Sequence, residues 1–142
     1  MAKLGGTGVT AKEYLNQARV LDMLINAKQS ELYSLKLMAT SISSPAIAEK
    51  VQSGGENNTM RIIDKIVDLQ NEINLEIDKL VDLKSRIRNE IKQINNPIER
   101  ILLTERYINN KSWLEIAKVM HYTERQVHNI HGKSLKHFSK FH

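Results

Sequence analysis

The residues with the clearest chemistry lie near the C-terminal end. Thr123-Glu124-Arg125-Gln126 has the spacing of a capping box, in which Thr and Gln each satisfy a backbone N–H left free by the first helical turn. The helix it opens carries Val127, Ile130, Ser134, Leu135 and Phe138 at core spacing, so Arg125, His128 and Asn129 fall on the opposite face. Near the start of a helix these side chains suit base edges, the guanidinium matching guanine and the carboxamide matching adenine. Lys111, Lys133 and Lys136 offer point charges for phosphates, which position a protein without reading sequence. Thr123, Glu124 and Gln126 complete the candidate double-stranded-DNA-facing set. Other chemistries find less support. His128 and His131 are spaced i, i+3, but no Cys and no nearby carboxylate pair completes a tetrahedral metal site. Gly5-Gly6-Thr7-Gly8 lacks the Lys and the strand–helix setting of a phosphate loop. No nucleophile–base or paired acid–base arrangement is evident, so neither an enzyme nor a cofactor is expected.

A helix that reads DNA needs a brace, and the preceding residues supply one. Ser112-Trp113-Leu114-Glu115 is another capping box, opening a short helix with Trp113, Ile116, Ala117 and Met120 inward. His121-Tyr122-Thr123 is then a three-residue turn, which makes the pair a helix-turn-helix pattern. Upstream, Asn96-Pro97 starts a helix over 97–108 with Ile101, Leu102 and Tyr107 facing in, ended by the turn Asn109-Asn110-Lys111. Charge is distributed to match. Residues 97–142 hold eight Lys/Arg against four Asp/Glu, while 1–96 hold thirteen against twelve. All five histidines also lie in this C-terminal part, where mild acid would add charge beside phosphates.

The rest of the chain reads as a helical support. Thr10-Ala11-Lys12-Glu13 opens a helix whose stripe is Tyr14, Ala18, Leu21, Ile25, Lys28, Leu32, Leu35, Ala39 and Ile42. Residues 43–58 form a linker, and a second helix runs over 59–94 with Ile63, Ile66, Ile73, Ile77, Leu80 and Ile87 in its stripe. Two long helices of similar length joined by a loop fold back most simply as an antiparallel hairpin. The second helix is apolar beyond one stripe, so Ile63, Ile66, Leu69, Ile73, Ile77, Leu80 and Ile87 are expected to build a homo-oligomer. The expected architecture is all-α: a flexible tail at 1–9, a hairpin at 10–95 and a helix-turn-helix unit at 96–142.

Composition bounds the class. In 142 residues, 41% hydrophobic and 26% charged content argue against wholesale disorder, and the net charge of +5 allows an anionic partner without requiring one. With no Cys there is no disulfide framework, which fits a reducing cytosol. No apolar run has the length of a signal peptide core or of a membrane span, so no membrane partner is expected.

The segment from Leu102 to Phe138 resembles region 4 of sigma-70-type factors. The shared skeleton is carried by Leu103, Arg106, Tyr107, Trp113, Glu115, Ile116, Ala117, Thr123, Val127, Ile130 and Leu135. Together with the A-K-E-Y-L segment at 11–15 and the I-V-D-L…L-V-D-L-K helix at 66–84, the layout is similar to small phage and prophage proteins of low-GC Gram-positive bacteria, related to the ArpU/RinA-type late transcription regulators. That resemblance implies a DNA-binding regulator in the bacterial host cytoplasm, with host RNA polymerase as a candidate partner. Gln126, His128 and Gly132 depart from the Arg-richer recognition helix usual in region 4, and nothing resembles sigma region 2. Two alternatives stand beside this reading: a DNA-packaging small subunit of terminase, and a coiled-coil adaptor without DNA binding.

Overall fold

The computed structural model describes residues 10–42 and 55–141; the tail at 1–9 and the linker residues 43–54 lie outside them. The described residues are all-helical. In chain order they form α1 (Ala11–Ile42), α2 (Gly55–Ile91), α3 (Pro97–Leu103), a π-helical turn (Thr104–Ile108), α4 (Trp113–Met120) and α5 (Glu124–Ser139). No helix among them is long and apolar enough to cross a membrane. The second helix begins at Gly55, four residues inside the expected linker, and ends at Ile91 instead of Ile94. Its last turn tightens through i→i−3 bonds from Gln93 N to Glu90 O and from Ile94 N to Ile91 O.

The chain divides into two compact units, and the division does not fall at the expected 95/96 boundary. One unit is Asp22–Lys79; the other joins Met1–Leu21 to Leu80–His142. The reason is packing at both ends of the long helices. The start of α1 buries Tyr14, Leu15 and Ala18, and the end of α2 buries Ile87 and Ile91, inside the same unit as α3–α5. Tyr14 stacks on Phe138 of α5 with ring centroids 6.1 Å apart, and its hydroxyl bonds Glu90 at 2.5 Å. Burial and the neighbouring carboxylate push that phenol well above its usual pKa.

In the unit Asp22–Lys79, Ile25 and Leu32 of α1 and Leu69 and Ile73 of α2 are buried. Lys28 interrupts the apolar stripe and is paired there: its Nζ lies 2.6 Å from Glu76 and 3.4 Å from Glu72. The hydrogen bond to Glu76 raises the Lys28 pKa. The expected oligomer surface is corrected at this point. Leu69, Ile73, Leu80 and Ile87 are buried by the chain itself, and Ile66 and Ile77 are half-buried. Of that set only Ile63, at 46%, is well exposed. The central stripe of α2 is thus occupied within the monomer, while Met60, Ile63, Val67, Leu75 and Val81 on its other sides stay 46% to 64% exposed.

The C-terminal helices also differ in detail from the expected 97–108 helix. Asn96 caps α3 by accepting from the N–H groups of Ile98 and Glu99 at 2.9 and 3.4 Å. After Leu103 the helix widens, with Asn109 N–H reaching back to Thr104 O at 2.9 Å, an i→i−5 bond. That extra residue per turn brings Leu102, Leu103, Tyr107 and Ile108 all into the core. Ile101, expected inward, is instead 45% exposed.

Ile73→Ala should therefore cost about 2–5 kcal/mol of stability. Leu75→Ala, at a residue 64% exposed, should change it by less than about 0.5 kcal/mol. Urea unfolding followed by helical circular dichroism measures both; equal effects would contradict the packing described.

Candidate nucleic-acid interface

Three capping devices set how α4 gives way to α5. Ser112 Oγ accepts from Glu115 N–H at 3.2 Å, while Glu115 accepts from Ser112 N–H at 3.0 Å. The cap holds the Glu115 carboxyl below its usual pKa. Thr123 and Gln126 make the same reciprocal pair, at 3.1 and 2.8 Å. Between them α4 ends in a Schellman turn: His121 takes the left-handed conformation (φ 61°), His121 N–H reaches Lys118 O, and Tyr122 N–H reaches Ala117 O at 3.0 Å. A left-handed histidine costs energy that glycine would avoid, so this sharp turn is held by its surroundings.

Behind the turn lies a mixed aromatic core. The Arg106 guanidinium sits 4.1 Å from the Trp113 ring centre, a cation–π contact. Trp113 also packs against His128 and His131, with ring centres 4.7 and 4.6 Å away. Tyr107 and His131 share a 2.7 Å hydrogen bond between the hydroxyl and Nε2. Burial lowers the His131 pKa to about 4, aided by the positive charges of Lys12 and Arg106 and by His128, and burial pushes the Tyr107 phenol up to about 12. His131 is thus a neutral core residue, 6% exposed, and is not among the histidines that mild acid would charge beside phosphates. Arg19 of α1 ties this core down by donating to the carbonyls of Arg106 and Lys111 at 3.2 and 3.5 Å. At the far end of α5, His137 Nδ1 meets the buried Glu99 carboxylate at 2.7 Å.

The expected DNA-facing residues separate into two groups. Arg125, His128, Asn129, Lys133 and Lys136 are exposed on α5, and Glu124 is exposed at its start. Arg125, Lys133 and Lys136 make no ion pair among the described residues. The second group is already engaged. Thr123 and Gln126 spend their oxygens on the cap. Lys111 is corrected as a free phosphate ligand, because its Nζ pairs with Glu105 at 2.8 Å and lowers the pKa of that carboxyl. His128 is exposed but its ring is partly spent on Trp113.

One further position belongs to this face. Gly132 lies three residues after Asn129 and four before Lys136, on the same exposed side of α5. A Cβ built on it meets nothing within 4 Å. No close packing within the chain requires glycine here, although glycine inside a helix costs about 1 kcal/mol relative to alanine. The sequence marks Gly132 only as a departure from region 4; its open surroundings need three dimensions to be seen. No family model, curated protein or solved structure matches the chain.

His131 also makes stability depend on pH. Its folded pKa lies below that of a free imidazole, so the unfolded chain binds the proton more readily. The contribution is fully present above about pH 6.5 and is lost as pH falls toward about 4, amounting to roughly 3 kcal/mol. Urea midpoints measured between these limits should fall for the wild type. His131→Phe should remove most of that slope, and an equally steep slope in the variant would place its origin elsewhere.

Proposed function

We propose that this chain is a sequence-specific DNA-binding transcription regulator of phage or prophage genes, acting on late genes with host RNA polymerase. The observation that carries the reading is the exposed side of α5, where Arg125, Asn129 and Lys136 surround Gly132. Free cations suit phosphates, Arg and Asn suit purine edges, and a missing side chain lets a helix backbone come close to what it binds. The Schellman turn and the two reciprocal caps support a braced recognition helix of the helix-turn-helix kind. In this reading α1 and α2 form an antiparallel hairpin leading into that unit. The pairs Tyr14–Glu90 and Lys28–Glu76 support it, since a step of fourteen residues forward on one helix is matched by fourteen backward on the other.

The test is selection of bound fragments from a pool of phage and host DNA, followed by affinity measurements on the selected site. Arg125→Ala should lose sequence preference. Lys136→Ala should weaken all sequences about equally and reduce the salt slope by roughly one unit. Gly132→Ala should separate the two roles of its position: stability rises by about 0.5–1 kcal/mol while affinity for the selected site falls. An alanine variant that is more stable and binds DNA as well as the wild type would remove Gly132 from the interface. A wild-type protein that selects no DNA would overturn the regulator reading and favour the adaptor.

A further inference from the structure

The side of α1 away from its buried stripe carries a second heptad pattern that the chain leaves uncovered. Within the unit Asp22–Lys79, Met23, Ala27, Ser30, Ser34, Leu37 and Ser41 alternate in steps of four and three along one face, and all six are exposed. None is charged, on an exposed face of a chain that is 26% charged. This is unlike a solvated helix face, which normally gathers the charges. Beside the seam, Leu24, Tyr33 and Met38 add apolar surface. The five largest apolar residues here, Met23, Leu24, Tyr33, Leu37 and Met38, are 44% to 65% exposed.

We propose that this face of α1 pairs with α1 of a second copy of the chain, as a parallel, in-register two-helix seam. The spacing is that of a coiled coil, with 3.5 residues per repeat. In register, each large residue meets its own counterpart at the two ends, and the small residues Ala27, Ser30 and Ser34 let the helices approach closely in the middle. The Ser34 hydroxyl already donates to Ser30 O at 3.2 Å, so burying it leaves no donor unsatisfied. The flanking positions are self-complementary. Asn26 of one copy falls beside Glu31 of the other, as an amide donor to a carboxylate, and Tyr33 falls beside Met38, a sulfur–aromatic contact. Antiparallel pairing about the middle of the seam would instead bring the two Glu31 carboxylates together. Five side chains, each about half wet, supply on the order of 500 Å² per copy, about 1,000 Å² in all, which is the size of a weak, transient interface, so association belongs in the micromolar range. The inference does not depend on DNA binding, and it uses α1 in place of the expected α2 set, of which Leu69, Ile73, Leu80 and Ile87 are buried in the monomer.

Light scattering on the full chain at about 100 µM, a concentration suited to so small an interface, should give twice the 16.3 kDa chain mass. Met23→Glu with Leu37→Glu should halve that mass and leave helicity unchanged, since both residues are exposed. Because the chain has no Cys, Ser30→Cys under mild oxidation can link only position 30 to itself. It should yield a disulfide-bonded dimer on a non-reducing gel, whereas Gln29→Cys, off the seam, should yield far less. A monomeric wild type, a double variant that stays dimeric, or equal cross-linking at positions 29 and 30 would each overturn the proposal.

Discussion

Burial of one stripe of α5 decides where every other residue of that helix points. Val127, His131, Ser134 and Phe138 are each buried, at spacings of four, three and four residues. Ser134 enters the core without cost because its hydroxyl donates to Ile130 O at 2.7 Å. With that stripe fixed, the exposed face of α5 follows from helical geometry alone. The other elements of the unit then serve to close the core behind it. The π-helical turn brings two adjacent residues, Tyr107 and Ile108, inward together, and the left-handed His121 turns the chain sharply enough for α4 and α5 to share that core.

The same packing explains why the ends of the long helices belong with the C-terminal unit. A helix of sixteen residues with one apolar stripe needs neighbours on more than one side to bury it. Tyr14 supplies one, against Phe138, and Arg19 supplies polar closure to the carbonyls of Arg106 and Lys111. Arg19 and Arg106 share the Lys111 carbonyl, at 3.5 and 3.0 Å, and Arg106 also lays its guanidinium on the Trp113 face. Burial and the positive charge of Arg19 both lower the Arg106 pKa, so this corner trades electrostatic comfort for a closed backbone.

Local signals were legible in the sequence, and long-range ones were not. The capping boxes at Ser112 and Thr123 and the Asn96-Pro97 start depend only on neighbours three residues apart, and each is formed. The periodicity of α2 announced an apolar stripe but could not say what covers it, so Leu69 and Ile73 read as oligomer contacts although the monomer buries them. Lys111 reads as a phosphate ligand and His131 as a group that mild acid could charge, because their partners, Glu105 and Tyr107, are joined to them only in the folded chain. In the candidate interface, spacing alone puts Arg125, His128 and Asn129 on the outer face, where all three are exposed. Spacing says nothing of the kind about Gly132, because an empty space beside a residue has no sequence signature.

The electrostatics of α5 also connect the two proposals. After Lys111 is paired and His131 is buried, Arg125, Lys133, Lys136 and Lys140 remain as cations exposed on or just beyond the helix. Each phosphate contact contributes a salt slope of about 0.9, and four such contacts give a slope of less than four, well below that of strong DNA binders. A single recognition helix of this kind would hold DNA weakly at cellular ionic strength. Joining two copies makes the second contact intramolecular, which can raise apparent affinity by a factor of about 10² or more without any new side chain. A helix-turn-helix protein that dimerises also reads two half-sites, which doubles the bases available for discrimination. Under the two proposals together, pairing through α1 would supply by multiplicity what a sparsely charged α5 lacks for holding DNA.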